Sequence, residues 1–318
     1  FKQKTAYEIR LSLVGSEMCI RDSYCSAHAA LRSMTSISFA MAERSASSAA
    51  RTQQTRLVVL QVGLFQARNV LRSRWLLAYT AFFLLATEGL LRFSGGSAGT
   101  ILSLTNIVLY VVPLVTLLVG TVYLYSAREF IELLLAQPVN RHGLFAGLYS
   151  GLAVPLALSI SVGVGVPFLA RGFASTNEAA LVCTLLLLGT ALTLSFAGIA
   201  LALALWCDDR LRGLSLAIGL WLLGAVVYDG VVLMLIATFA DYPMERPILA
   251  LTLLNPIDLA RVAMMLQLDV SALMGYTGAV FQQFLGGVVG LLVAFMSLAL
   301  WILVPVAVGM RVFSRKDF

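Results

Sequence analysis

The chain has 318 residues, of which 60% are hydrophobic and only 12% charged, and its mean hydropathy is +0.91. These proportions exclude an ordinary soluble domain and indicate a protein that crosses a membrane several times. The net charge of +6 would suit nucleic acid, but the basic residues form no soluble patch, and we expect no nucleic-acid partner.

Residues 1–54 differ from the rest of the chain. The first 26 or so lack apolar periodicity and resemble a translated sequencing-adapter tag, which we exclude from fold reasoning. The stretch up to Gln54 is rich in Ser and Ala and has no signal-peptide core. We predict that the natural start is Met34 or Met41 and that residues 55–318 form one membrane domain. A transit peptide is the alternative interpretation.

Apolar segments follow in regular order. Leu57–Arg74 is amphipathic and predicts a helix immediately before the first span, although its last turn would equally suit an extension of that span. Six later runs match the roughly 20 apolar residues that a spanning helix needs. They are Trp75–Leu91, Ile101–Tyr125, Leu144–Ala170, Ala179–Trp206, Leu214–Ala240 and Val288–Met310. The fold class is therefore an all-α bundle of six transmembrane helices. Near the end of the first span, Glu88 and Arg92 have the spacing of an ion pair.

Residues 126–141 place a charged, amphipathic segment between the second and third spans. One helical face carries Phe130, Ile131, Leu134 and Leu135, and another carries Arg128, Glu129 and Glu132. Such a helix lies along a membrane surface, and Pro138 is expected to end it. A solvated loop helix and a docking element are both compatible with this composition.

The basic residues are distributed unequally between the two sides of the predicted bundle. From Arg51 onward, twelve fall on the side that carries residues 126–141, and four fall on the other: Arg92, Arg171, Arg246 and Arg261. By the positive-inside rule, both termini and the amphipathic segment are predicted to be cytoplasmic.

Asp229 lies near the centre of the fifth predicted span, where an ionised group is costly. It should therefore face the bundle or a wet cavity. Two interpretations remain open: Asp229 lines a translocation path, or it bonds to free backbone groups at a helix break beside Gly230.

The segment between Asp241 and Phe284 is the long connection on the other side. Asn255, Pro256 and Asp258 are the residues that begin a helix, and we expect the apolar residues 262–268 to lie on the outer surface of the bilayer. This segment would contact an outside partner, or it would act as a lid. The expected contact residues are Asn255, Asp258, Arg261, Met265 and Tyr276.

No catalytic or metal-binding pattern is found in the sequence. It lacks a Walker A lysine and a nucleophile–base set, its four cysteines suggest neither a disulfide framework nor a metal site, and methionines such as Met265 are more often apolar filler. We therefore predict no enzyme activity, no metal site and no cofactor.

Three motifs carry a resemblance to the type 2 ABC-transporter permeases. They are Glu129-Phe-Ile-Glu-Leu-Leu-Leu-Ala-Gln-Pro-Val-Asn-Arg141, Leu254-Asn-Pro-Ile-Asp-Leu-Ala-Arg261 and Arg311-Val-Phe-Ser-Arg-Lys-Asp-Phe318, of which only the first is specific. The resemblance covers Leu57 to the C terminus, and it implies that the amphipathic helix of residues 57–74 is an elbow helix lying in the cytoplasmic interface of the membrane. It is strongest to the branch that serves maturation of nitrous oxide reductase.

The resemblance implies a homodimeric permease of the bacterial inner membrane that works with a separate cytoplasmic ATPase and a periplasmic beta-helical partner. The cargo would be a sulfur species for the copper–sulfur centre. The ATPase would couple through Arg128, Glu129, Glu132, Gln137, Pro138 and Arg141. Two alternatives are an ABC exporter permease for another cargo, such as an ion, a lipid, a drug or a gliding-machinery component, and an intramembrane enzyme or scaffold.

Overall fold

The computed structural model describes residues 74–93, 97–135, 140–173, 175–239, 245–268 and 287–315. The regular elements in these ranges are all helical. In chain order they are α1 (Arg74–Phe93), α2 (Ser97–Ser126), α3 (Arg128–Leu135), α4 (Arg141–Arg171), α5 (Thr176–Trp206), α6 (Arg210–Leu222), α7 (Tyr228–Thr238), α8 (Glu245–Leu254), α9 (Pro256–Leu268) and α10 (Gly287–Arg315). A π-helical turn, Leu223–Val227, joins α6 to α7. The expected elbow before Arg74 and residues 1–54 lie outside the described ranges.

Within those ranges, six helices are long and apolar enough to cross a bilayer, which confirms the predicted fold class. They are α1, α2, α4, α5, the continuous segment Arg210–Thr238 made by α6, the π turn and α7, and α10. Their lengths of 20 to 31 residues suit a hydrocarbon core about 30 Å thick at 1.5 Å per residue.

Local sequence sets the ends of several spans. The side chains of Asn140, Ser175 and Asp209 accept hydrogen bonds from the first turns of α4, α5 and α6, at 3.1, 3.2 and 3.0 Å. These bonds satisfy backbone N–H groups that have no partner inside the helix. At the other end of α4, Gly172 has φ +79, a value that a residue without Cβ adopts readily. The residues next to these spans therefore fix where each helix begins or ends.

Helix α5 lies at the centre of the bundle. It packs against α2, α4 and α10, while α1 packs on α4. Its buried residues lie on several sides of the helix and include Leu192, Ala197 and Leu201, each fully inaccessible to solvent. A helix that is apolar all round is expected in this central position.

The contact between α1 and α4 depends on Gly163. A Cβ added there would lie 2.6 Å from the Cβ of Phe83 and 3.1 Å from the carbonyl oxygen of Thr80, and Phe83 is fully buried. We expect Gly163→Ala to lower the free energy of unfolding by about 1–3 kcal/mol, because neither neighbour can move without shifting the α1 backbone. The midpoint of heat-induced loss of monodisperse protein in detergent measures this effect.

Gly165 on the same helix provides the matched control. A Cβ there would meet only a methyl of Leu186, at 3.8 Å, which is ordinary van der Waals contact. Gly165→Ala should leave stability unchanged or raise it by up to about 1 kcal/mol, through the better helix propensity of alanine. Equal midpoints for the two variants would contradict the close packing of α1 on α4.

Helices α8 and α9 form a hairpin that packs into the bundle. The Trp301 indole of α10 donates to the carbonyl of Leu253 at 3.1 Å, and the Tyr228 hydroxyl of α7 donates to the carbonyl of Leu251 at 2.6 Å. The buried residues of α9 are Pro256, Ile257, Leu259, Ala260, Val262, Ala263 and Met264. The expectation that residues 262–268 lie on the outer surface was therefore wrong, because Val262, Ala263 and Met264 are buried and the remaining residues are half-buried.

The two ends of the bundle carry different groups. At one end, called the α3 end, α3 contacts the loop of residues 207–209, and the start of α4 contacts the last turn of α10. At the opposite end, Arg92 pairs with Glu88 at 2.7 Å, as the sequence predicted, and Arg171 donates to the carbonyl of Leu91 at 3.2 Å. The second and fourth connections between spans thus lie at the α3 end, and the first and third lie at the opposite end, as a bundle of alternating crossings requires.

Candidate functional site

Helix α3 is a short amphipathic helix that projects beyond the end of α2. Ile131 is fully buried against the bundle, whereas Glu129 and Glu132 are exposed. Leu133 is 71% exposed and lies beside Glu129 on the outward side. Two exposed carboxylates next to an exposed leucine form a surface suited to a protein partner with basic and apolar groups.

Arg128 belongs to a different contact from the two glutamates. Its guanidinium donates to the Asp208 carbonyl at 3.0 Å and to the Asp208 carboxylate at 2.9 Å. The central guanidinium carbon, Cζ, also lies 5.8 Å from the centre of the Tyr125 ring, within the range of a cation–π contact. Arg128 thus connects α3 to the loop between α5 and α6, and its role in docking an ATPase stays a prediction.

Arg141 lies at the C-terminal end of the charged, amphipathic segment of residues 126–141. Its guanidinium donates to the Ser314 carbonyl at the end of α10, at 2.9 Å. Gln137 and Pro138 lie outside the described residues. The coupling role proposed for these three residues stays a prediction.

A cluster of polar and charged side chains lies inside the bundle where α2, α7 and α9 meet. Arg261 Nη1 is 2.8 Å from Asp229 Oδ2 and 3.2 Å from Asp258 Oδ1, and Nη2 donates to the Tyr110 hydroxyl at 3.0 Å. The exposed fractions of the Asp229, Asp258 and Arg261 side chains are only 26%, 14% and 22%. We call Tyr110, Asp229, Asn255, Asp258 and Arg261 the buried ion cluster.

Asn255 connects this cluster to the backbone. Its side-chain oxygen Oδ1 accepts from Ile257 N at 3.1 Å, which confirms the predicted N-cap of α9. Its amide donates to the Gly224 carbonyl in the π turn at 2.8 Å and to Asp258 Oδ2 at 3.2 Å. Asp258 Oδ1 accepts no hydrogen bond from the described residues, so its contact with Arg261 is an ion pair only.

The structure changes the interpretation of Asp229 and of the residues that were expected to contact an outside partner. Asp229 is paired with a guanidinium, so neither of the two sequence interpretations foresaw its partner. Asn255 and Asp258 are turned into the bundle, and Met265 is half-buried, while Tyr276 lies outside the described residues. Contact between this segment and an outside partner stays a prediction.

Sequence reasoning missed several residues of these contacts. Tyr110 and Tyr125 lie within apolar spans, where an aromatic residue gives no distinctive signal. Asp208 was also missed, although its place directly after a span and beside Asp209 marks it as interfacial. Leu133 could have been noticed, because it is an apolar residue on the polar face of α3.

The six spans, the amphipathic helix between the second and third, and the polar cluster among apolar helices define a multi-pass membrane protein. Within the described ranges, no three His, Cys, Asp or Glu side chains come together as a metal site.

Residues 65–318 match the family model described as ABC-2 family transporter protein. The chain therefore belongs to this family and is the permease subunit of an ABC transporter. It is similar to a protein of Pseudomonas aeruginosa named "Probable ABC transporter permease protein NosY", with 28% identity over 275 residues that cover 81% of this chain and 98% of the relative. A protein of the same name from Stutzerimonas stutzeri is 27% identical over 264 residues, which cover 77% of this chain and 94% of that relative.

Proposed function

We propose that this permease works with a separate cytoplasmic ATPase and serves the maturation of nitrous oxide reductase, by moving a sulfur species for its copper–sulfur centre. The observation that carries the first part is the outward face of α3, with Glu129, Glu132 and Leu133 exposed. The second part rests on the likeness to the NosY proteins along nearly their whole length.

In this proposal, closure of the ATPase pushes on α3. The helix is continuous with α2 in its hydrogen bonding, because Ala127 N bonds to the Tyr123 carbonyl and Ile131 N to the Ala127 carbonyl, each at 2.9 Å. A displacement of α3 is therefore passed to α2 as a rigid-body movement, and the bundle alternates between two packed arrangements. Gln137, Pro138 and Arg141 would complete the docking surface.

We place the α3 end in the cytoplasm and both termini with it, in a bacterial inner membrane. The arginines at this end support the orientation by the positive-inside rule. Among the described residues they are Arg74, Arg128, Arg141, Arg210, Arg212, Arg311 and Arg315. Trp75 and Trp206, which are 79% and 84% exposed at the same end, suit the level of the lipid headgroups.

We propose that two copies associate and that the cavity between them carries the cargo. The span Arg210–Thr238 leaves large apolar side chains exposed, and so does α10. Lipid covers part of such a surface, and a second copy would cover another part. Asp229 lies on this span, which supports a place for it beside the translocation path.

The hairpin and the residues that follow it, up to Gly278, would meet a periplasmic beta-helical partner. Because Asp258 and Arg261 are held in the buried ion cluster, we assign them the role of anchoring the hairpin. Met265 and Tyr276 remain the proposed contact residues.

Deletion of the gene in its own host tests the cargo. We expect nitrous oxide reductase to be synthesised without its copper–sulfur centre, and the centre to return when the gene is restored on a plasmid. The visible absorption spectrum of the purified reductase measures the centre. A complete centre in the deletion strain would overturn the maturation role and favour a permease for another cargo. Neighbouring genes for an ATPase, a beta-helical protein and the reductase would support maturation.

A further inference from the structure

The loop between α5 and α6 is held against the α2–α3 junction by two side chains. The Tyr125 hydroxyl lies 2.9 Å from the Cys207 carbonyl and 3.2 Å from the Asp209 carbonyl, and Arg128 donates to both the carbonyl and the carboxylate of Asp208. Three successive carbonyls are thus in hydrogen-bond contact with two residues. We call Tyr125, Arg128 and residues 207–209 the clasp.

The packing at the start of α6 fits the clasp closely. A Cβ added at Gly213 would collide with the Tyr125 hydroxyl and would lie 2.9 Å from two other atoms of its ring. The Tyr125 ring therefore lies directly on the first turn of α6, and only a residue without a side chain allows that approach. Asp209 caps the same turn through Leu211 N at 3.0 Å, so the loop and α6 form one ordered unit.

The carbonyls of the clasp have different partners from those at most helix C termini. Water or small side chains commonly satisfy carbonyls at a helix C terminus. Here a guanidinium reaches both the carbonyl and the carboxylate of one residue, and such charge-assisted double contacts fix orientation as well as distance. The Arg128 side chain is 30% exposed and that of Asp208 is 80% exposed, so the contact fixes the position of the loop more than it adds to stability.

We propose that Arg128, Asp208 and Tyr125 are positioning residues that make α3 and the span Arg210–Thr238 move as one body. This inference rests on the proposed docking of the ATPase to α3. A push on α3 then reaches α6, the π turn and α7, and with them Asp229 and the Gly224 carbonyl that Asn255 holds. Without the clasp, the push would reach the fifth span only through its packing on α2, such as the Trp221 indole that donates to the Tyr110 carbonyl at 3.0 Å, and the start of α6 would move less.

Hydrogen–deuterium exchange of the permease bound to its ATPase in nanodiscs tests this inference. The readout is the change in exchange of residues 223–227 when the ATPase is trapped closed with ATP and vanadate, since the π turn is a weak point of the span. We expect the wild-type chain to show this change. Asp208→Ala should weaken it while the ATPase still copurifies and hydrolyses ATP, and Arg128→Ala should weaken it to a similar degree.

Three further variants distinguish coupling from local stability. Arg128→Asp combined with Asp208→Arg restores the ion pair but leaves the residue-208 carbonyl without its donor, so the response should recover only in part. Tyr125→Phe should weaken the response with the ring still in place. Arg212→Ala is the matched control: it removes an arginine from the same loop region whose nearest carboxylate, Asp209, is 3.7 Å away, and it should respond like wild type. If Arg128→Ala does not fold, Tyr125→Phe and Asp208→Ala decide the question.

A normal response in Asp208→Ala and Tyr125→Phe with the ATPase bound would overturn the inference. Loss of ATPase binding in Arg128→Ala and Asp208→Ala would also overturn it, because the two residues would then act in docking. Failure of the wild-type chain to bind the ATPase would instead refute the proposed docking itself.

Discussion

We expect the double variant Glu129→Lys and Glu132→Lys to lose its ATPase subunit while still entering the membrane. Both carboxylates are exposed on α3 beside Leu133, and neither is needed to bury Ile131. Reversing two charges at an interface places like charges opposite each other, at a cost of about 3 kcal/mol, which is roughly a hundredfold in Kd. The fraction of ATPase that copurifies with the tagged permease, and the Kd from titration in detergent, measure the effect.

Glu88→Lys is the control for this experiment. Glu88 lies at the opposite end of the bundle, in an exposed pair with Arg92, and such surface pairs contribute about 1 kcal/mol or less. The control should insert normally and retain the ATPase. If the double variant binds the ATPase with an unchanged Kd and matures the reductase fully, α3 is not the docking element.

The second large effect is expected in the buried ion cluster. Arg261→Met removes the cation and leaves Asp229 and Asp258 facing each other without it. Breaking a buried ion pair by removing one partner costs about 3–5 kcal/mol, and the loss of the Tyr110 contact adds to this. We expect the hairpin α8–α9 to detach from the bundle and the midpoint of heat-induced aggregation in detergent to fall. Arg171→Met, which removes an exposed arginine at the bundle end, should leave the midpoint near wild type.

Asp229→Asn separates folding from transport. The amide oxygen still accepts from Arg261, and the cluster changes from two carboxylates with one guanidinium to one of each. We therefore expect normal stability and reduced transport if Asp229 lies on the cargo path. Normal stability together with full maturation of the reductase would leave Asp229 a structural role only. An Arg261→Met variant as stable as wild type would contradict the account of the cluster.

The membrane architecture could be predicted from the sequence because its signals are local. Each span is a run of apolar residues long enough to cross a bilayer, and residues such as Asn255 cap a helix only one or two positions away. The amphipathic pattern of residues 128–135 likewise needs only neighbouring residues to place Ile131 inward and Glu129 outward. Those predictions depend on helix geometry alone.

The tertiary partners could not be predicted, because they depend on which helices pack together. Arg261 lies 32 residues from Asp229 and 151 from Tyr110, and Arg128 lies 80 residues from Asp208. The sequence predicted that the apolar residues 262–268 lie on the outer surface, because nothing local shows which helices they pack against. The pairing of Arg261 with Asp229 and Asp258 allows the hairpin to enter the bundle instead.

The most direct measurement of the central claim is photo-cross-linking from α3 to the ATPase. A benzophenone amino acid at position 133 replaces an exposed leucine, and Phe173, 41% exposed at the opposite end, serves as the control position. In intact cells we predict an adduct of permease and ATPase from position 133 and none from position 173. Because the ATPase is cytoplasmic, that result would also fix the orientation of the bundle. An adduct from position 173, or none from position 133 in a complex that copurifies intact, would contradict the account.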